Sequence, residues 1–142
     1  LSKYIGGSNM SSSYDDLLKA AAEQSEPQRF LFVFANTELP DDHSEREAKR
    51  FAEGEGGAIV PVMCVDKHLS DLSSFAALAE ESKQTGADWS MVLVACLSGK
   101  GGIPASDKDA DQGLKNMVSA IQNGMIASFM AFDKEGYPLE FY

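Results

Sequence analysis

Two stretches of this chain are apolar at every position, Phe30-Leu31-Phe32-Val33-Phe34-Ala35 and Met91-Val92-Leu93-Val94-Ala95-Cys96-Leu97. Both are too short for a buried helix and rich in aromatic or β-branched residues, so each reads as a strand. Side chains alternate between faces along a strand, and an unbroken apolar run has no polar side to turn toward water. The sheet that contains these strands must be covered on both faces, and the rest of the chain must supply the covers.

Four helical patterns are available for that purpose. Ser13 and Asp16 form a capping-box variant ahead of Tyr14, Leu17, Leu18 and Ala21, which predicts a helix over 14–24 that Pro27 ends. Ser44 and Glu47 have capping-box spacing, predicting a short helix over 45–53 with Ala48, Phe51 and Ala52 inward, stopped by the Gly54–Gly57 cluster. Ser70 and Asp71 open a third helix with Leu72, Phe75, Ala76 and Ala79 on one face, and Gly86 stops it. A fourth runs over 109–123, with Leu114, Met117, Val118 and Ile121 in one stripe and Gly124 at its end.

Ala58 to Val65 is a further strand. Its Pro61 lacks the N–H that an interior ladder position donates, which places it on an edge or at a bulge. Met91–Leu97, apolar throughout, belongs in the centre. At the end of the chain, Ile126–Phe132 and Tyr137–Tyr142 flank Asp133-Lys134-Glu135-Gly136 and read as a β-hairpin. More than twenty residues containing a helix separate the successive strands, room enough for crossovers between parallel strands. The expected fold is a single α/β domain: a mixed sheet of about five strands, about four helices and a C-terminal β-hairpin. The alternative is an α+β domain with a mainly antiparallel sheet. Leu1–Asn9 precede Met10 and are read as an appended remnant or a disordered N-terminus, leaving 10–142 as the domain.

Charge narrows the function classes. Twelve Lys and Arg stand against twenty-two Asp and Glu, a formal charge of -10. Nucleic acid and anionic membranes bind through basic patches, so both are disfavoured as partners; a protein partner or a small anionic ligand remains. No apolar stretch reaches the length of a membrane helix. Cys64 and Cys96 lack CxxC spacing and sit in apolar runs, the pattern of buried core thiols in a reducing, cytoplasmic compartment. With two cysteines and two histidines in no metal-binding spacing, neither a metal nor another cofactor is called for.

If the first three strands are parallel, their carboxyl ends share one rim, where open α/β sheets bind ligands. The polar residues leaving them would converge there: Asn36, Thr37 and Glu38 after the first, Asp66, Lys67 and His68 after the second, and Ser98, Gly99, Lys100, Gly101 and Gly102 after the third. The last group resembles a phosphate nest, in which glycines free successive N–H groups to face an anion and Lys100 adds charge. It does not fit a P-loop, because Gly101 follows Lys100 where the hydroxyl residue should be. The bland reading is a surface turn. No residue is assigned a catalytic role. His43 reads as a solvated cap among Asp41, Asp42 and Glu45, and a thiol within an apolar strand is inert.

The runs Leu31-Phe32-Val33-Phe34-Ala35, Met63-Cys64-Val65-Asp66-Lys67 and Val92-Leu93-Val94-Ala95-Cys96-Leu97-Ser98-Gly99 carry one further signal. From about Met10 onward the chain resembles a family of small proteobacterial proteins often labelled ribonucleotide reductase subunit alpha. The resemblance implies a bacterial, cytoplasmic setting. It carries over no catalytic residue, since none of these runs is a catalytic motif. The resulting expectation is a non-enzymatic binding or regulatory module. The alternative is a small enzyme or sensor for an anionic metabolite or nucleotide, with Lys67 and Lys100 as charge partners and Asp66 or Glu38 as general base.

Overall fold

A computed structural model describes residues 2–4, 13–38, 58–126 and 128–141. The elements in chain order are β1 (Ser2–Tyr4), α1 (Tyr14–Ala22), β2 (Gln28–Glu38), β3 (Ala58–His68), a 3-10 turn (Leu69–Asp71), α2 (Phe75–Lys83), β4 (Met91–Ser98), α3 (Asp107–Gln122), β5 (Met130–Asp133) and β6 (Leu139–Phe141). Four strands form one sheet in the order β3-β2-β4-β5, and β1 pairs with β6 in a second, two-stranded sheet.

Every neighbouring pair in the main sheet is antiparallel. This corrects the expectation of a mixed sheet with parallel pairs and matches the antiparallel alternative. Long helix-bearing connections leave room for parallel pairing without requiring it, and burial of β2 on both faces requires only covers on both faces. Here α1 and α2 pack on Phe30, Phe32 and Phe34. The residues between, Leu31, Val33 and Ala35, meet Ala110, Met117 and Ile121 of α3. All six of these β2 side chains are buried. The long connections are genuine on one point: β3 and β4 both run antiparallel to the β2 strand between them, so they point the same way and their carboxyl ends share one end of the sheet.

Burying one large apolar side chain contributes roughly 1.5–3 kcal/mol, so the buried β2 run is a substantial contribution to stability. On the α1–α2 side the packing is aromatic. Tyr14 meets Phe75 edge-on at 5.3 Å and Phe132 at 5.8 Å, and Phe34 meets Trp89 at 4.9 Å.

Local signals translate closely at several positions. Ser13 and Asp16 cap α1 reciprocally as a capping box. β3 is an edge strand, and its register against β2 slips between Met63 and Pro61, leaving Val62 as the extra, 41% exposed residue of a bulge. β4 is interior, paired on both sides. Gly86 and Gly124 take the positive φ values that end α2 and α3.

Three boundaries differ. Ser70 and Asp71 belong to the 3-10 turn, and α2 starts later, where the Ser74 hydroxyl accepts from the Ala77 N–H. The C-terminal segment turns at Asp133–Gly136, with a bridge between Phe132 and Pro138, but β6 then leaves β5 to pair with β1. Ser2–Tyr4 thus have a place in the fold, although the sequence reading sets them aside. The helix expected over 45–53, and His43 before it, lie outside the described residues. Among the described residues, no helix is long and apolar enough to cross a membrane.

Candidate functional site

Strand direction decides which sequence candidates can meet. Because β2 runs opposite to β3 and β4, its carboxyl end, with Asn36, Thr37 and Glu38, lies at the far end of the sheet from Lys67 and Ser98. Asn36 there donates from Nδ2 to the Asp88 carbonyl at 3.1 Å. The remaining candidates share the near end, which also holds the start of β2.

Even there, Asp66 and Lys67 part company, because adjacent strand residues point to opposite faces. Lys67 lies opposite Phe30, on the α1–α2 face, and its Nζ pairs with Glu81 of α2 at 2.6 Å. Asp66 lies opposite Leu31, on the α3 face, and receives Arg29. A shared pocket of Asp66, Lys67 and Lys100 does not form.

Arg29 is the feature sequence reasoning missed. Its residue is only 6% exposed. Nε and Nη2 donate to one Asp66 oxygen at 2.8 and 2.5 Å, Nη1 donates to the Ala105 carbonyl at 2.9 Å, and Nη2 also reaches Asp107 at 2.8 Å. Those hydrogen bonds, first to Asp107 and then to Asp66, push the guanidinium pKa further up. One side chain thereby ties the end of β3 to the loop before α3 and to that helix's first turn. Its signal in the sequence is a lone Arg immediately before an apolar strand, which cannot be told from a solvated strand start.

The Ser98–Gly102 segment is a tight turn. The Lys100 N–H donates to the Ile103 carbonyl at 2.9 Å and the Ile103 N–H returns to the Lys100 carbonyl at 3.0 Å, around Gly101 and Gly102 at φ +59 and +81. Two consecutive left-handed residues closed by a reciprocal pair mark a type I′ turn. A nest alternates right- and left-handed residues, so this is a different geometry. The Gly102 N–H already donates to the Glu26 carboxylate at 2.8 Å. Gly99 is required for close approach, since a Cβ there would stand 2.3 Å from the Ile103 carbonyl oxygen. Its N–H donates to the Pro27 carbonyl at 2.8 Å, and the Ser98 hydroxyl receives Gln28 Nε2 at 3.1 Å. Lys100 is exposed.

These contacts wall a cleft of about 630 Å³ at the near end of the sheet. One side is the tail of α1, with Ala21, Ala22 and Gln24, and the chain from Ser25 to Gln28 that leads into β2. The other is His68, Leu69 and Ser70, where β3 passes into the 3-10 turn, and Gly102 with Pro104 closes the third side. The volume suits a small molecule or one side chain of a partner. Gln28, 8% exposed, is held by the Glu26 carbonyl at 3.1 Å as well as by Ser98, so one wall is rigid before any ligand arrives. Of the sequence candidates only Gly102 and His68 line this space. Glu26 and Gln28 were missed because they sit in an ordinary polar link whose partners are 70 or more residues away.

The cysteines also depart from expectation. Both thiols belong to exposed residues, on the edge strand β3 and on the half of β4 beyond its pairing with β5. Partial desolvation still pushes Cys96 up to about 11 and Cys64 upward. Accessible but protonated at neutral pH, they are weak nucleophiles.

No family model, no curated protein and no solved structure matches this chain, so any functional reading rests on the geometry of the cleft itself.

Proposed function

We propose that this protein is a non-enzymatic binding or regulatory module whose ligand seat is the cleft between the α1 tail, the end of β3 and the Lys100–Ile103 turn. The observation that carries this reading is convergence: three segments far apart in sequence place Glu26 and Gln28, His68 and Ser70, and Gly102 around one space of about 630 Å³. Apolar Ala21, Leu69 and Pro104 complete it, the usual mixture of shape-forming and orienting groups in a ligand site. A bacterial, cytoplasmic setting belongs to the same reading, on the two free thiols and the family resemblance.

A thermal-shift screen with cationic, neutral and anionic small metabolites tests it. A ligand at a hundred times its dissociation constant stabilises the fold by roughly 2.7 kcal/mol. The expected outcome is a hit that loses its effect when the cleft is narrowed by Ser70→Trp, at an exposed position of the 3-10 turn. A hit unaffected by that substitution but abolished by Lys100→Ala would move the site to the turn and support an anion sensor instead.

A further inference from the structure

The cleft has a polarity of its own, and it is opposite to that of an anion site. Resting on the reading of this cleft as the ligand seat, we infer that its ligand is a cation presenting N–H donors, an alkylammonium group. Three of the donors around the cleft are engaged, and the Ser25 and Ser70 hydroxyls there can accept as well as donate. Both hydrogens of the Gln28 amide are taken, by the Glu26 carbonyl and by Ser98, which leaves its Oε1 as an acceptor. The Gly102 N–H is taken by Glu26. Gln24 Nε2 folds back on the Ala20 carbonyl at 3.4 Å.

Acceptors remain. The Glu26 carboxylate has about four lone-pair sites and meets one N–H. Ala21 and Ala22 stand in the last turn of α1, where the aligned peptide dipoles leave roughly half a negative charge. Among the described residues no lysine or arginine lines the cleft. A phosphate or carboxylate would meet Glu26 and the negative helix end with no lysine or arginine in the lining to offset them, whereas an ammonium group would complete them. A formal charge of -10 favours the approach of a cation.

An alkylammonium could arrive as a free amine or as a lysine side chain of a basic protein, and equilibrium dialysis at fixed ionic strength separates the sources. The probes are 1,4-diaminobutane, the capped peptide acetyl-Gly-Gly-Lys-Gly-Gly-amide, and inorganic phosphate. The expected result is retention of one or both cationic probes. Affinity should fall at least tenfold in Glu26→Gln, which keeps an oxygen for the Gly102 N–H but loses the charge, and should be unchanged in Lys100→Ala. Retention of the peptide alone assigns the ligand to a protein partner, and retention of the diamine assigns it to a free amine. Phosphate binding that Ser70→Trp abolishes, with neither cation retained, would overturn the cation inference while leaving the cleft as the ligand seat. Cation binding equal in wild type and Glu26→Gln would overturn it as well. If no probe is retained and the thermal-shift screen is also silent, the cation inference and the binding-module reading fall together.

Discussion

Replacing Arg29 with Met keeps most of the apolar stem and removes the guanidinium, which isolates the contribution of the charge network. The contact with Asp107 contributes little, because that carboxylate is 93% exposed, and exposed pairs are worth about 0.2–1 kcal/mol. Asp66 differs, since its side chain is only 30% exposed and it accepts two guanidinium N–H groups. Hydrogen bonds to charged groups contribute about 1.5–3 kcal/mol each, and the Ala105 carbonyl loses its donor as well. Removing one member of a buried pair generally costs about 3–5 kcal/mol; the partial exposure of Asp66 places the expected loss near the bottom of that range, about 3 kcal/mol. Urea unfolding measures this as a lower midpoint at constant slope. Asp66→Asn in the Arg29→Met background should cost much less than in wild type, because the partner charge is already gone. A loss below about 1 kcal/mol for Arg29→Met, or full additivity in the cycle, would refute the assignment of Arg29 as the tie between β3 and α3.

Three other perturbations have definite expected outcomes. The Tyr14 hydroxyl is buried without a hydrogen-bond partner and is pushed up to about 12, first by burial and then by Asp15. The unfolded chain, with an ordinary tyrosine near 10, therefore ionises first, and stability falls as pH rises from about 10 to about 12, by up to about 1.4 kcal/mol per pH unit. Tyr14→Phe should remove that contribution and leave stability at pH 7 unchanged or about 1 kcal/mol higher; a loss at pH 7 would show that the hydroxyl has a partner. Trp89 Nε1 donates to Ser82 Oγ at 2.8 Å inside the core, so Ser82→Ala should lower stability by about 1–3 kcal/mol in chemical denaturation, and a neutral result would contradict that bond. Gly99→Ala forces a Cβ against the Ile103 backbone and should cost more than Gly101→Ala, where open space surrounds the site and the penalty is about 1–2 kcal/mol for the left-handed φ; equal losses in thermal melts would contradict the close approach.

The features that were legible in the sequence are those whose cause is local. The Ser13–Asp16 box, the proline that marks an edge strand and the glycines that stop α2 and α3 each act within a few residues of themselves. Strand direction is not local. Phe30–Ala35 and Met91–Leu97 demand covers on both faces, a demand that parallel and antiparallel sheets meet equally well once helices lie on each side. The misplacement of Asn36 and Glu38 follows from that one undetermined sign. The Gly99–Gly102 stretch shows the same limit at smaller scale: composition announces backbone freedom, but the choice between nest and type I′ turn depends on the pairing of Lys100 with Ile103 and on a carboxylate at Glu26. Arg29, Glu26 and Gln28 have partners 37 to 78 residues away, and nothing in their neighbours points to those partners.

The central claim is that one cleft at the end of the sheet is the seat of binding, and residue-resolved amide shifts test it most directly. Titrating the ¹⁵N-labelled chain with the strongest cation from dialysis should move the amides of 21–26, 28, 68–70 and 102–103 and leave the far end around Asn36 and Asp88 still. Shifts centred instead on the outer edge of β3 around Val62–Val65, or on the Asn36 end, would contradict it.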